Sequence, residues 1–94
     1  MAECVIYTDE NFTGESLQVF DNIPNLTNHR HGFGGAGNWN DEISSIVVHS
    51  GTFRFFEHVD FGGAYKDLGP GQYPSSVYIG LTDNTISSIE KRSD

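Results

Sequence analysis

The sequence predicts an antiparallel β-sandwich built from Greek keys, and three observations carry that prediction. The first is an internal repeat. Tyr7, Phe12 and Gly14 are spaced as aromatic, four residues, aromatic, one residue, glycine, and Phe56, Phe61 and Gly63 repeat the spacing. Each opening is closed further along by an Asn/Asp pair, two variable residues and a Ser-Ser: Asn40-Asp41-Glu42-Ile43-Ser44-Ser45, then Asp83-Asn84-Thr85-Ile86-Ser87-Ser88. A repeat kept in this order sets the architecture before any local propensity does. The second observation is a series of short runs rich in β-branched and aromatic residues, at 4–7, 16–20, 45–49, 52–56, 64–68 and 87–91. The third is that glycine-bearing breakers separate these runs and no long apolar stripe of helical period occurs.

Taken in order, the runs at 16–20 and 52–56 alternate, with Leu17, Val19 and Phe53, Phe55 marking one buried face. The stretch 28–39, glycine-rich and containing His29, His31 and Trp39, reads as a surface loop. Ser50-Gly51 joins the copies and is too short for a flexible linker, so residues 1–94 are expected to form one domain, with one motif over about 3–49 and the other over about 52–92. Either half alone would bury too little apolar surface to stand by itself. A brief helical turn is expected around 75–78. In the opening motif the two aromatics stack across a folded hairpin, and the glycine supplies a positive φ.

Composition narrows the function classes. The chain has 94 residues, 13 acidic against 5 basic, and a formal net charge of −8. That balance disfavours nucleic acid and anionic membranes as partners and suits solubility, the commoner role of an acidic surface, or a cation partner. Cys4 is the single cysteine, so no intrachain disulfide can form, and its apolar surroundings make it a small buried hydrophobe. No basic, apolar leader is visible at the start, and together with the lack of disulfides this favours a cytoplasmic protein. Two glycosylation sequons, at Asn11 and Asn25, would matter only after secretion, and the first lies inside the tight opening motif.

The closing motif carries the chemistry. Asn40-Asp41 and Asp83-Asn84, the hydroxyls of Ser44 and Ser87 and the backbone carbonyls between them are hard oxygen donors of mixed charge, which suit Ca²⁺. Zinc would call for Cys or His, and neither recurs in the two copies. His29 and His31 are the best candidates for catalysis, but they read as solvated loop histidines without a partner, and no nucleotide-binding glycine motif is present. The protein is therefore expected not to be an enzyme. The rival reading is a carbohydrate- or protein-binding sandwich in which calcium is only structural, with Trp39, Tyr73 and Tyr78 as sugar-stacking candidates.

With both motifs present twice and in order, the chain resembles the βγ-crystallins over essentially its whole length, most closely their calcium-binding microbial and invertebrate members. The resemblance implies two Greek keys in two four-stranded sheets and two calcium ions per chain. It also implies ligands that cross between the copies. One site would take the carbonyls of Thr8 and Glu42 with the side chains of Asn84 and Ser87. The other would take the carbonyls of Glu57 and Thr85 with the side chains of Asp41 and Ser44. Asn40 and Asp83 would brace the loops. The chain is expected to be monomeric, with at most weak self-association, and to couple calcium to stability as a structural, buffering or stress-related protein.

Overall fold

The structure is a computed structural model that describes residues 1–26, 30–31, 37–38, 43–81 and 85–94. Its first ladder is formed by β1 (Glu3–Asp9), β2 (Thr13–Val19) and β5 (Ser45–Ser50), and its second by β6 (Thr52–His58), β7 (Gly62–Leu68) and β9 (Ser88–Ser93). Between these lie β3 (Arg30–His31), β4 (Gly37–Asn38), β8 (Gly71–Tyr73) and a short helix, α1 (Ser76–Ile79). The six predicted runs thus all form strands, and the helical turn falls where it was expected. β3 and β4 pair antiparallel inside the stretch read as loop, because two residues on each side meet in register, Arg30 with Asn38 and His31 with Gly37.

The sheets exchange strands between the copies. One sheet runs β2-β1-β5-β8, so a strand of the second copy finishes the sheet of the first. β8 was hidden in the sequence because Gly69-Pro70-Gly71 reads as a breaker, yet Tyr73, Gln72 and Gly71 pair with Ile46, Val47 and Val48. The other sheet runs β7-β6-β9, three strands rather than the four expected. Its fourth place is held by one bridge, Ile23 to Ile89, with backbone bonds of 2.7 and 2.9 Å in both directions. The ladder stops there because the Asn22 side-chain oxygen, in place of a backbone carbonyl, takes the Lys91 N–H at 2.7 Å. Pro24 follows at once and has no N–H to give.

Alternation fills the interior. Cys4 and Ile6 from β1, Phe53 and Phe55 from β6, Ile46 and Ile89 meet in one cluster, all fully buried, with Leu26, Ile43, Ile79 and Ile86 closing it. Burying a side chain the size of Phe53 or Phe55 contributes about 1.5–3 kcal/mol. Cys4 is buried as expected, and desolvation followed by the charge of Glu3 pushes its thiol pKa up to about 12, so it stays a neutral thiol. The chain ends lie beside the junction of the copies. The Ala2 N–H donates to Asp94 Oδ1 at 3.2 Å, and Ser50 Oγ donates to the Met1 carbonyl at 2.6 Å.

Candidate functional site

Each opening motif folds into a hairpin with the same irregularity. In β1 and β2, Tyr7 pairs with Ser16 and Asp9 with Thr13; in β6 and β7, Phe56 pairs with Tyr65 and His58 with Gly62. Thr8 and Glu57 fall in these register breaks, outside the ladder pairing, and the Thr8 hydroxyl instead accepts the Glu15 N–H at 3.0 Å. A bulge of this kind takes a residue out of the ladder and re-aims it. Both residues are half-buried. The hairpin tips carry four non-glycine residues at positive φ: Asn11 at 58°, Phe12 at 61°, Asp60 at 56° and Phe61 at 60°. Such backbone persists only where its surroundings over-determine it.

The surroundings do so through the closing motifs. Ser45 Oγ accepts the Phe12 N–H at 3.0 Å and donates to the Asp9 carbonyl at 2.6 Å. Ser88 Oγ repeats this with the Phe61 N–H at 3.1 Å and the His58 carbonyl at 2.6 Å. Edge-on aromatic pairs brace the fold, Tyr7 with Phe12 at 5.8 Å and Phe56 with Phe61 at 5.7 Å. Gly14 and Gly63, at φ 80° and 78°, leave room for what lies against them: a Cβ at Gly14 would fall on the Thr8 hydroxyl, and one at Gly63 on the His58 ring.

The first serine of each pair sits one step closer to the register break. The Ser44 N–H donates to the Tyr7 carbonyl and the Ser87 N–H to the Phe56 carbonyl, both at 2.9 Å. Tyr7 and Phe56 immediately precede Thr8 and Glu57. Ser44 and Ser87 are buried, at 5% and 6% exposed. The backbone therefore brings Ser44 beside Thr8, and Ser87, with Thr85 two residues earlier, beside Glu57. Asp41, Glu42 and Asn84 lie outside the described residues, as do Asn40 and Asp83.

Sequence reasoning missed three things here. It treated the Ser-Ser pair as one signal, whereas the second serine shapes the hairpin. A single ligand role for the first serine left the second unexplained, and that was the available clue. It also missed the docking of each hairpin tip on the opposite copy: the Asn11 N–H donates to the Pro74 carbonyl at 2.8 Å and the Asp60 N–H to the Pro24 carbonyl at 2.7 Å. A proline after each opening motif was the trace of that in the sequence. Asn22, which fastens the first copy to β9, left no sign at all.

Of the rival sugar-stacking set, Tyr78 stands exposed on α1. Tyr73 is half-buried and donates its hydroxyl to the Gly69 carbonyl at 2.8 Å, while Trp39 lies outside the described residues. Of the two loop histidines, His29 lies outside them too, and only the backbone of His31 is described. No three His, Cys, Asp or Glu side chains gather among the described residues. Backbone carbonyls, hydroxyls, one amide and one carboxylate would form no such trio, and hard oxygen donors of that kind are the ones Ca²⁺ takes.

Comparison with known proteins bears on this arrangement. A family model described as Beta/Gamma crystallin matches residues 3–91. A beta/gamma-crystallin of Ciona intestinalis is 33% identical over 92 residues, which is 98% of this chain and 100% of that protein. Two longer relatives are spanned over only 48% and 40% of their length. Among solved structures, a βγ-crystallin from an archaeon superposes with a TM-score of 0.82 at 42% identity, covering 97% of this chain and 98% of that one. A transition-metal-ion-binding βγ-crystallin from Methanosaeta thermophila superposes with a TM-score of 0.70 at 25% identity, covering 93% and 96%.

Proposed function

The chain belongs to the βγ-crystallin family, whose members found here are crystallins rather than enzymes, and from that premise we propose that it is a non-enzymatic calcium-binding domain in which two ions stabilise the fold. One observation carries the reading. In both copies, a closing motif of hard oxygen donors docks its buried first serine against the strand end where Thr8 or Glu57 leaves the ladder. In this reading one ion is held by the carbonyls of Thr8 and Glu42, the side chain of Asn84 from the other copy and, in place of the Ser87 expected from the sequence, the hydroxyl of Ser44, whose N–H bonds the Tyr7 carbonyl next to Thr8. The other is held by the carbonyls of Glu57 and Thr85, the side chain of Asp41 and, in place of Ser44, the hydroxyl of Ser87, whose N–H bonds the Phe56 carbonyl next to Glu57. The tip contacts of Asn11 on Pro74 and Asp60 on Pro24 support ligands that cross between the copies, since they hold each hairpin against the other half.

An ion that binds only the folded state stabilises it by mass action. The net charge of −8 adds to the gain, because cations relieve repulsion in a compact acidic chain. Magnesium gives a smaller effect, since it keeps its water and demands stricter octahedral geometry. Calorimetric titration of decalcified protein is expected to show two saturable sites, and a titration without heat or saturation overturns the reading. Asp41 gives one site a carboxylate where the other has the Asn84 amide, so the sites should differ in affinity. Asp41→Asn should weaken one site and narrow the gap; unchanged affinities at both would show that the ligands do not cross in this way.

A further inference from the structure

The segment Ile23–Leu26 belongs to the first copy by sequence, but its bonds are made in the second. Ile23 exchanges both backbone bonds with Ile89 of β9, at 2.7 and 2.9 Å. The Pro24 carbonyl receives the Asp60 N–H from the tip of the second hairpin at 2.7 Å. The Leu26 N–H donates to the Ser87 carbonyl at 2.9 Å, and the Ser87 N–H in turn donates to Phe56 at 2.9 Å. Asn22, just before the segment, pins it to β9 by accepting the Lys91 N–H at 2.7 Å. Four successive attachments thus hold the two pieces of backbone that meet at Glu57 and Thr85: the strand end of β6 with its tip, and the closing motif before β9.

We propose that Ile23–Leu26, fastened by Asn22, is a strap contributed by the first copy that positions the metal-binding backbone of the second, around Glu57 and Thr85. The proposal rests on the calcium reading above for its ion, but the strap's mechanical role stands on the bonds alone. Carbonyl ligands cannot be tuned by their own side chains, so their aim is set by whatever fixes the neighbouring peptide planes. On the second hairpin that includes Pro24, which presents its carbonyl from a backbone whose φ is locked. Asp60, held at a φ of 56°, is the residue whose amide would swing if the contact were lost. The arrangement has a counterpart with a different fastening. Pro74 receives Asn11 from the first hairpin, but the segment before it is tied in as the three-residue strand β8 rather than by a side chain. Asn22 is therefore a positioning residue for one site only.

Asn22 is exposed, so Asn22→Ala removes the fastening without touching the core. Two measurements test the strap. The first is amide hydrogen exchange in calcium-free protein. Asp60 is exposed, yet its amide should be protected, and Asn22→Ala should speed its exchange about fivefold, the net worth of one neutral hydrogen bond, while leaving the Asn11 amide unchanged. An Asp60 amide that exchanges at the unprotected rate, or one indifferent to Asn22→Ala, overturns the proposal. The second is calcium titration of the same variant. The site containing Glu57 should weaken by a similar factor and the site containing Thr8 should not, whereas Pro74→Gly should reverse the pattern. Equal weakening of both sites by Asn22→Ala would mean general destabilisation and would sink the strap as a site-specific device. If the wild type binds no calcium, the calcium reading fails while the exchange measurement still decides on the strap.

Discussion

On the outer face of the first sheet Val5 stands between Gln18 and Val47; at the matching places of the second sheet Arg54 stands between Asp67 and Glu90. Arg54 grips Asp67 through two bonds of 2.6 and 2.9 Å, lies 4.1 Å over the Tyr65 ring, and has Arg92 paired to Glu90 at its flank. Among the described residues no ion pair lies on that face of the first sheet, where Gln18 instead donates to Glu3 Oε2 at 3.4 Å. Yet both hairpins break register at the same step, hold the same left-handed tips, and are clamped by a serine at nearly the same distances. The contrast teaches where this backbone is specified. Turn residues, clamping serines and inward apolar positions fix it, while the outward positions of the strands can change from aliphatic to ionic without moving the ladder.

The largest expected effect concerns what the copies share. At a calcium concentration about 100 times the dissociation constant, each occupied site adds roughly 2.7 kcal/mol. Since each kcal/mol moves the midpoint of a domain this size by roughly 4–8 °C, two sites should raise it by tens of degrees. Calorimetric melts in chelator and in millimolar calcium that coincide would remove calcium from the account of this fold's stability.

Next come the clamps. Ser45→Ala and Ser88→Ala each strip a fully buried hydroxyl and strand an amide and a carbonyl. That costs about 1–3 kcal/mol, or roughly 4–24 °C in melting temperature. The drops should be alike in the two halves, and a severalfold disparity in melting shift would show that the halves are not mechanically equivalent.

A smaller effect should separate them. Gly14→Ala and Gly63→Ala both force a side chain into left-handed backbone, at about 1–2 kcal/mol. The first also displaces the Thr8 hydroxyl, which accepts the Glu15 N–H at 3.0 Å, whereas the second displaces only the His58 ring. Urea midpoints should therefore fall further for Gly14→Ala.

The smallest effect tests the outer face. The Arg54 hydrogen bonds hold the Asp67 carboxyl below the usual carboxylate range. A depressed carboxylate stabilises the fold above the unfolded value, near about 4, and that contribution is lost as pH falls through the lower folded value. Because the pair is partly exposed, Arg54→Val should barely move the urea midpoint at neutral pH and should flatten the acid limb of its pH profile. A large fall of the midpoint at neutral pH would mean that the ionic face shapes the ladder after all.

The same division explains what could be read in advance. The hairpins, the six main strands and the buried alternation were legible because they rest on spacing, glycine and period, all local signals. The strap and β8 were not, because strand exchange between copies leaves only short, proline-ended segments that resemble turns. Of the candidate site, Thr8, Glu57, Thr85, Ser44 and Ser87 fall on the frame formed by register breaks and closing motifs. Asp41, Glu42 and Asn84 lie beyond the described residues. The separate roles of paired serines such as Ser44 and Ser45 could not be told from sequence, since the Ser45 hydroxyl clamps the hairpin tip while the Ser44 backbone N–H binds the strand end, a distinction that composition does not record.

The terminal contacts bear on how the gene could be arranged. Ala2, Asp94 and Gly51 meet at one corner, with Gly51 so close that a Cβ there would fall on Ala2 and the Ser93 carbonyl. A short peptide joining the ends and a cut at Gly51 would yield a chain that writes the second copy before the first and still closes the same ladders. At that corner the order of the copies is not something the sandwich requires.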